Sequence, residues 1–89
     1  MKIEFDSAKN QRNIESRGLG FALAAEFDFE GALEVEQVVE GELRYFALGY
    51  VGSRLHALVY TMRSDTVRVI SLRKANKREV RRYEQICGP

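Results

Sequence analysis

The sequence predicts an α+β fold: a short N-terminal strand and two helices, then a four-stranded antiparallel meander and a C-terminal helix. Three observations carry that prediction. Residues 54–74, RLHALVYTMRSDTVRVISLRK, hold two runs rich in β-branched and aromatic residues around the polar Arg63-Ser64-Asp65, the pattern of a hairpin between central strands. Glycine-bearing turns at Glu40-Gly41-Glu42 and Val51-Gly52-Ser53 join this hairpin to two earlier strand-like runs. Asn76, with Glu79 three residues on, has the side chains of a helix N-cap and its capping-box partner.

The 89 residues suit a single domain over residues 1–89, near the size at which one core is enough but leaves little surplus stability. A hydrophobic fraction of 45% argues for a packed core, and 30% charged residues for a solvated surface. No apolar run approaches the ~20 residues of a membrane span. Met1-Lys2 leads into a strand-like segment rather than a signal sequence, so a cytoplasmic protein with no membrane association is expected. The one cysteine, Cys87, has no disulfide partner and no metal-ligand spacing; no metal and no cofactor are expected.

Taken in order, KIEF at residues 2–5 alternates with Ile3 and Phe5 on one side, a short strand for a sheet edge or the flank of the hairpin. Asp6 stands at an N-cap and Gly18 at a left-handed C-terminal cap, which places the first helix at Ser7 to Arg17 with Lys9, Arg12 and Arg17 exposed or directed at a ligand. Gly20 opens a second short helix, FALAAEF, apolar around most of its circumference and hence expected to be largely buried; Phe27 and Phe29 are expected in the core. Ala32 to Val39 reads as a half-exposed strand with an acidic outer side, and Leu43 to Tyr50 as its hairpin partner. Arg54 to Met62 and Thr66 to Arg73 complete the meander. The last helix runs from Lys77 to about Ile86, with Val80, Tyr83 and Ile86 at a spacing of three facing the sheet.

A net charge of +1 conceals a marked asymmetry. Residues 18–43 carry Glu26, Asp28, Glu30, Glu34, Glu36, Glu40 and Glu42 and no basic residue. Residues 63–82 carry Arg63, Arg68, Arg73, Lys74, Lys77, Arg78, Arg81 and Arg82 against Asp65 and Glu79. It is the distribution that sets the local field, so a polyanionic partner stays compatible with a near-neutral total; surface ion pairing between the two faces is the plainer alternative.

Three stretches together resemble the BrnT family of bacterial type II toxins: FDSAKNQRNIESRG, GELRYFALGY and RLHALVYTMRSDTVRVISLRKANKREVRRYE. The most specific parts are FD-x-x-KN with the later Asn13, the pair Arg44-Tyr45, the run from Tyr60 to Ala75, and Glu79 with Tyr83. The resemblance implies a RelE-like fold and an endoribonuclease that cuts RNA. It also implies a partner, a BrnA-type antitoxin with a ribbon-helix-helix domain; the hetero-oligomer of the two would reach operator DNA only through the antitoxin. Two positions depart from the family pattern. Ser16-Arg17-Gly18 replaces the usual Lys-His-Gly, which removes a possible proton donor or acceptor, and Gly20 replaces a serine.

RNA cleavage without a metal requires deprotonation of a 2′-hydroxyl, stabilisation of the extra phosphorane charge and protonation of the leaving oxygen. Arginine suits the second task, because its planar fork binds two phosphate oxygens. The expected catalytic set is Arg63, Arg68 and Arg73 with the hydroxyls of Thr61 and Ser71; the expected RNA-binding set is Lys9, Arg44, Tyr60, Lys74, Arg78 and Tyr83. His56, the only histidine, reads as an ordinary strand residue without an orienting partner. A two-residue turn at Ser64-Asp65 would place Thr61 opposite Arg68, and a three-residue turn would place Tyr60 there. In either register Ser71 and Arg73 have opposite parity to Arg68 unless a bulge intervenes. The alternative function is a non-catalytic nucleic-acid-binding or co-repressor module.

Overall fold

A computed structural model describes residues 1–88. The elements follow the predicted order: β1 (Lys2–Phe5), α1 (Ser7–Arg17), a 3₁₀ helix (Phe21–Glu26), β2 (Leu33–Val39), β3 (Glu42–Val51), β4 (Arg54–Arg63), β5 (Thr66–Lys74) and α2 (Lys77–Cys87). β2 to β5 form the antiparallel meander. β1 adds to its β5 edge in parallel, giving the order β1-β5-β4-β3-β2.

Two-residue turns set the meander's register. Val39 pairs with Glu42, Val51 with Arg54, and Arg63 with Thr66. Glu40 and Gly41 both take positive φ, 52° and 78°, which matches the right-handed twist of the flanking strands. Ser64 also has a positive φ, 57°, unusual for a residue with a side chain. The β4–β5 ladder then shifts: Tyr60 pairs with Val69, but Val59 pairs with Ser71, leaving Ile70 as the extra residue of a β-bulge.

The sheet is covered on both faces. On one, the 3₁₀ helix closes a core of Phe21, Ala24, Phe27, Ala47, Leu58, Tyr60, Val67, Val69 and Leu72. The three residues from this segment recur at spacing three, the period at which 3₁₀ side chains eclipse, so one edge is buried while Ala22, Ala25 and Glu26 are exposed. The sequence suggested a largely buried helix; the tighter winding buries a single row instead. Phe29 is half-buried, its ring edge-on to Tyr60 at 5.5 Å. Phe27 packs against Gly49, where any Cβ would stand 2.6 Å from the ring.

On the other face α2 covers Leu48, Leu55 and Ala57 with Tyr83 and Val80. Asn76 and Glu79 form the expected capping box, and the Tyr83 hydroxyl donates to the Gly31 carbonyl at 2.8 Å. Ile86, expected against the sheet, is 58% exposed: the packed stripe of α2 stops at Tyr83.

α1 is held by its asparagines. Asp6 accepts from the Lys9 amide, and Gly18 closes the helix at φ 71°. Asn10 accepts from the Phe21 amide at 2.7 Å, starting the 3₁₀ helix. Asn13 is buried and donates to the carbonyls of Leu19 and Leu72 at 2.8 and 2.9 Å. The Leu72 carbonyl lies on β5 beyond the last residue paired with β1, and Asn13 supplies the donor there.

Candidate active site

The bulge places the expected catalytic residues. Thr61 is paired with Arg68 and Arg63 with Thr66, so these side chains share the α2 side of the sheet. Past Ile70 the parity is reset: Ser71 pairs with Val59 and Arg73 with Ala57, which brings both onto that same side. Arg44, opposite Gln37 on the side of Phe46, joins them from β3. α2 packs over the end of this face formed by Leu48, Leu55 and Ala57. The other end, toward the Ser64-Asp65 turn, carries Arg44, Thr61, Arg63 and Arg68.

Three of these arginines are each held by a glutamate from a different element. Arg44 pairs with Glu42 at 2.8 Å, Arg68 with Glu4 of β1 at 2.8 Å, and Arg73 bidentately with Glu79 of α2 at 2.7 and 2.8 Å. The first two pairs are open to solvent, where an ion pair contributes little and a phosphate can take the carboxylate's place. Arg73 is more tightly bound. Its hydrogen bonds hold the Glu79 carboxyl below the usual carboxylate range, and that carboxylate also accepts from the Asn76 amide. Arg63 makes no ion pair among the described residues and is exposed at the end of β4. Thr61 is buried, its hydroxyl donating to the Leu43 carbonyl at 2.7 Å, so it ties β4 to the start of β3.

Ser71 faces a second basic group. A cleft of about 230 Å³ between α1 and β5 is lined by Lys9, Arg12, Asn13, Ser16 and Arg17 across from Ile70 and Ser71. Arg17 donates to Asn13 Oδ1 at 3.3 Å and reaches Ser71 Oγ at 3.5 Å. Helical spacing shows that Lys9, Arg12, Asn13 and Ser16 crowd together, but only the fold brings them to Ser71.

The remaining expected residues lie elsewhere. Tyr60 is buried on the 3₁₀-helix side, stacked on Tyr45 with centroids 5.1 Å apart, and its hydroxyl donates to the Glu34 carboxylate. Burial, then that hydrogen bond, pushes its pKa up. Tyr83 is spent on anchoring α2. Lys74 pairs with His56 on the 3₁₀-helix side, and Arg78 lies on α2 beside Arg81 and Arg82. His56 is 4% exposed, and Nδ1 donates to the Arg54 carbonyl at 2.9 Å, as expected for an ordinary strand histidine.

Residues 5–79 match the family model described as "Ribonuclease toxin, BrnT, of type II toxin-antitoxin system". The chain belongs to the BrnT family. A solved BrnT, the ribonuclease toxin of Brucella abortus, superposes with a TM-score of 0.70 and 31% identity, over 86% of this chain and 99% of that one. No curated protein sequence matches significantly. Membership in BrnT makes the chain a ribonuclease toxin by class, and it bears out the fold expected from the sequence. Part of the BrnT motif also gains a structural meaning: Asp6, Asn10 and Asn13 build α1 and its contacts, while Glu79 and Tyr83 seat α2. No helix among the described residues is long and apolar enough to cross a membrane.

Proposed function

We propose that this BrnT-family chain cleaves RNA with protein side chains alone, on the arginine face of its sheet, as the cytoplasmic toxin of a bacterial pair silenced by a BrnA-type antitoxin. The observation that carries the reading is the convergence on one side of the sheet of Arg44, Thr61, Arg63, Arg68, Ser71 and Arg73, produced by a two-residue turn and one bulge. The 2′-hydroxyl of the bound RNA gives its proton to solvent water and attacks the adjacent phosphorus. The bond to the 5′-oxygen breaks as that oxygen takes a proton from water, leaving a 2′,3′-cyclic phosphate and a 5′-hydroxyl. Charge builds on the non-bridging oxygens between these states. Arg63 and Arg68 meet that charge, Arg68 by exchanging Glu4 for phosphate, and the planar forks supply paired donors without a metal. Arg73, already oriented by Glu79, contributes a fixed positive charge, and Ser71 a hydroxyl beside Arg17. Thr61 positions the strand beneath them. Lys9, Arg12 and Arg44 hold the flanking backbone, which every RNA sequence presents alike. The antitoxin blocks this surface and, in complex with the chain, binds operator DNA through its own ribbon-helix-helix domain.

The test is cleavage of a mixed RNA by purified antitoxin-free protein. Arg63→Ala with Arg73→Ala is expected to abolish cleavage while circular dichroism stays that of the parent. Unchanged cleavage by the double variant would remove these arginines from the site. Salt-sensitive RNA binding by the parent without any cleavage would turn the reading to a binding module.

A further inference from the structure

A groove of about 520 Å³ runs between α2 and the outer strands of the sheet. Leu33 and Val35 of β2 and Phe46 and Leu48 of β3 form its floor, and Arg78, Arg81 and Arg82 stand along its α2 wall. Val35 is 47% exposed, so part of this floor is bare apolar surface. Among the described residues the three α2 arginines form no ion pair, in contrast to Arg44, Arg68 and Arg73. An open apolar floor beside three uncompensated cations is complementary to a segment with aliphatic side chains on one side and carboxylates on the other.

We propose that this groove is the docking site of the antitoxin, which enters it with an acidic amphipathic segment; the assignment rests on the toxin reading given above. Charge argues against either long helix of a second copy of this chain as occupant. Its α2 carries Lys77, Arg78, Arg81 and Arg82 against Glu79 and Glu84, and its α1 Lys9, Arg12 and Arg17 against Glu15, so either helix would bring a net positive charge against the groove's cations. The groove also adjoins the arginine face. Glu79 lines it and grips Arg73, so a segment seated there lies one side chain away from the residues proposed to hold the scissile phosphate. Docking and inhibition are thereby joined by geometry, while the groove residues themselves stay outside the cleavage site.

The experiment uses the full chain and the full-length antitoxin of its own operon. Calorimetric titration is run on the parent, on Val35→Asp, and on Arg81→Glu with Arg82→Glu, with RNA cleavage measured on each antitoxin-free protein and hydrogen exchange on the parent complex. Both variants are expected to lose about ten-fold or more in antitoxin affinity yet still cleave RNA, and exchange protection should fall on residues 33–39 and 78–85. Parental affinity in both variants overturns the proposal, as does protection confined to the hairpin turn around Arg63. Loss of cleavage with affinity intact would make the groove an RNA site, and self-association through residues 33–39 would make it an interface between copies; either overturns the proposal. A chain that cleaves no RNA and forms no complex defeats the toxin reading together with this inference, an outcome distinct from the others.

Discussion

Asn13 shows how much a single polar side chain holds in this molecule. Its amide donates to two carbonyls, one on β5 and one in the turn after α1, and its oxygen accepts from Arg17. Asn13→Asp keeps the shape but turns the donor into an acceptor facing two carbonyls. A loss of about 2–3 kcal/mol is expected in urea unfolding at neutral pH, with part recovered in acid as the carboxyl regains a proton. Tyr60 makes a prediction at the opposite end of the pH scale. Its folded pKa is raised above the ordinary value of about 10. The contribution is therefore complete below pH ~10 and is lost as pH rises and the unfolded chain gives up the proton that the folded chain keeps. Tyr60→Phe should abolish this share of the alkaline slope, read by unfolding at several pH values. Caps such as Asp6 and Gly18 were legible in the sequence because their partners lie within one turn. For Asn13 the sequence shows only its place in a motif, since the carbonyl it serves on β5 is 59 residues away.

At the level of elements, packing leaves little tolerance where the 3₁₀ helix hands the chain to the sheet. Gly49→Ala would push a methyl group to 2.6 Å from the Phe27 ring and 3.1 Å from the Asp28 carbonyl oxygen. About 1–3 kcal/mol of destabilisation is expected, measured as a lowered urea midpoint with an unchanged slope. The start of α2 depends on Glu79, which is both cap partner and clamp for Arg73. Because its folded pKa is depressed, its contribution is present above the ordinary carboxylate range and is lost as pH falls through the lowered value. Glu79→Gln should cost on the order of 1 kcal/mol at pH 7, and the difference from the parent should shrink in acid. Strands, turns and both long helices followed from periodicity and turn chemistry, which are local. The second helix's winding did not, because a six-residue segment as short and largely apolar as FALAAE is compatible with either period until its packing surface is known. The hairpin register is not legible for a similar reason: a turn of two residues and one of three both fit Arg63-Ser64-Asp65.

Over the whole molecule, charge is organised by the sheet rather than by the chain. The basic run of residues 63–82 is divided by folding into an arginine face, a helix bordering an apolar groove, and one side chain, Lys74, on the opposite side of the sheet. Lys9, Arg12 and Arg17 arrive from the other end of the sequence to complete the surface around Ser71. RNA binding should accordingly weaken steeply with salt, and Arg63→Ala should reduce the logarithmic salt slope by about 0.7, the share of one single-strand phosphate contact; filter binding from low to physiological salt measures it. The basic cluster was legible as composition, but its division was not, because a strand's side chains alternate and the bulge interrupts the alternation. That one interruption separates how much charge the protein owns from where the charge is aimed. Were Ile70 paired in an unbroken ladder, every arginine and the net charge would be untouched, yet Ser71 and Arg73 would turn toward the opposite side of the sheet. Deleting Ile70 should instead leave the face as it is, because Val69 and Ser71 would then alternate regularly against Tyr60 and Val59. The way the ladder accommodates one uncharged residue, leaving it unpaired, thus governs the aim of the distal half of the arginine face.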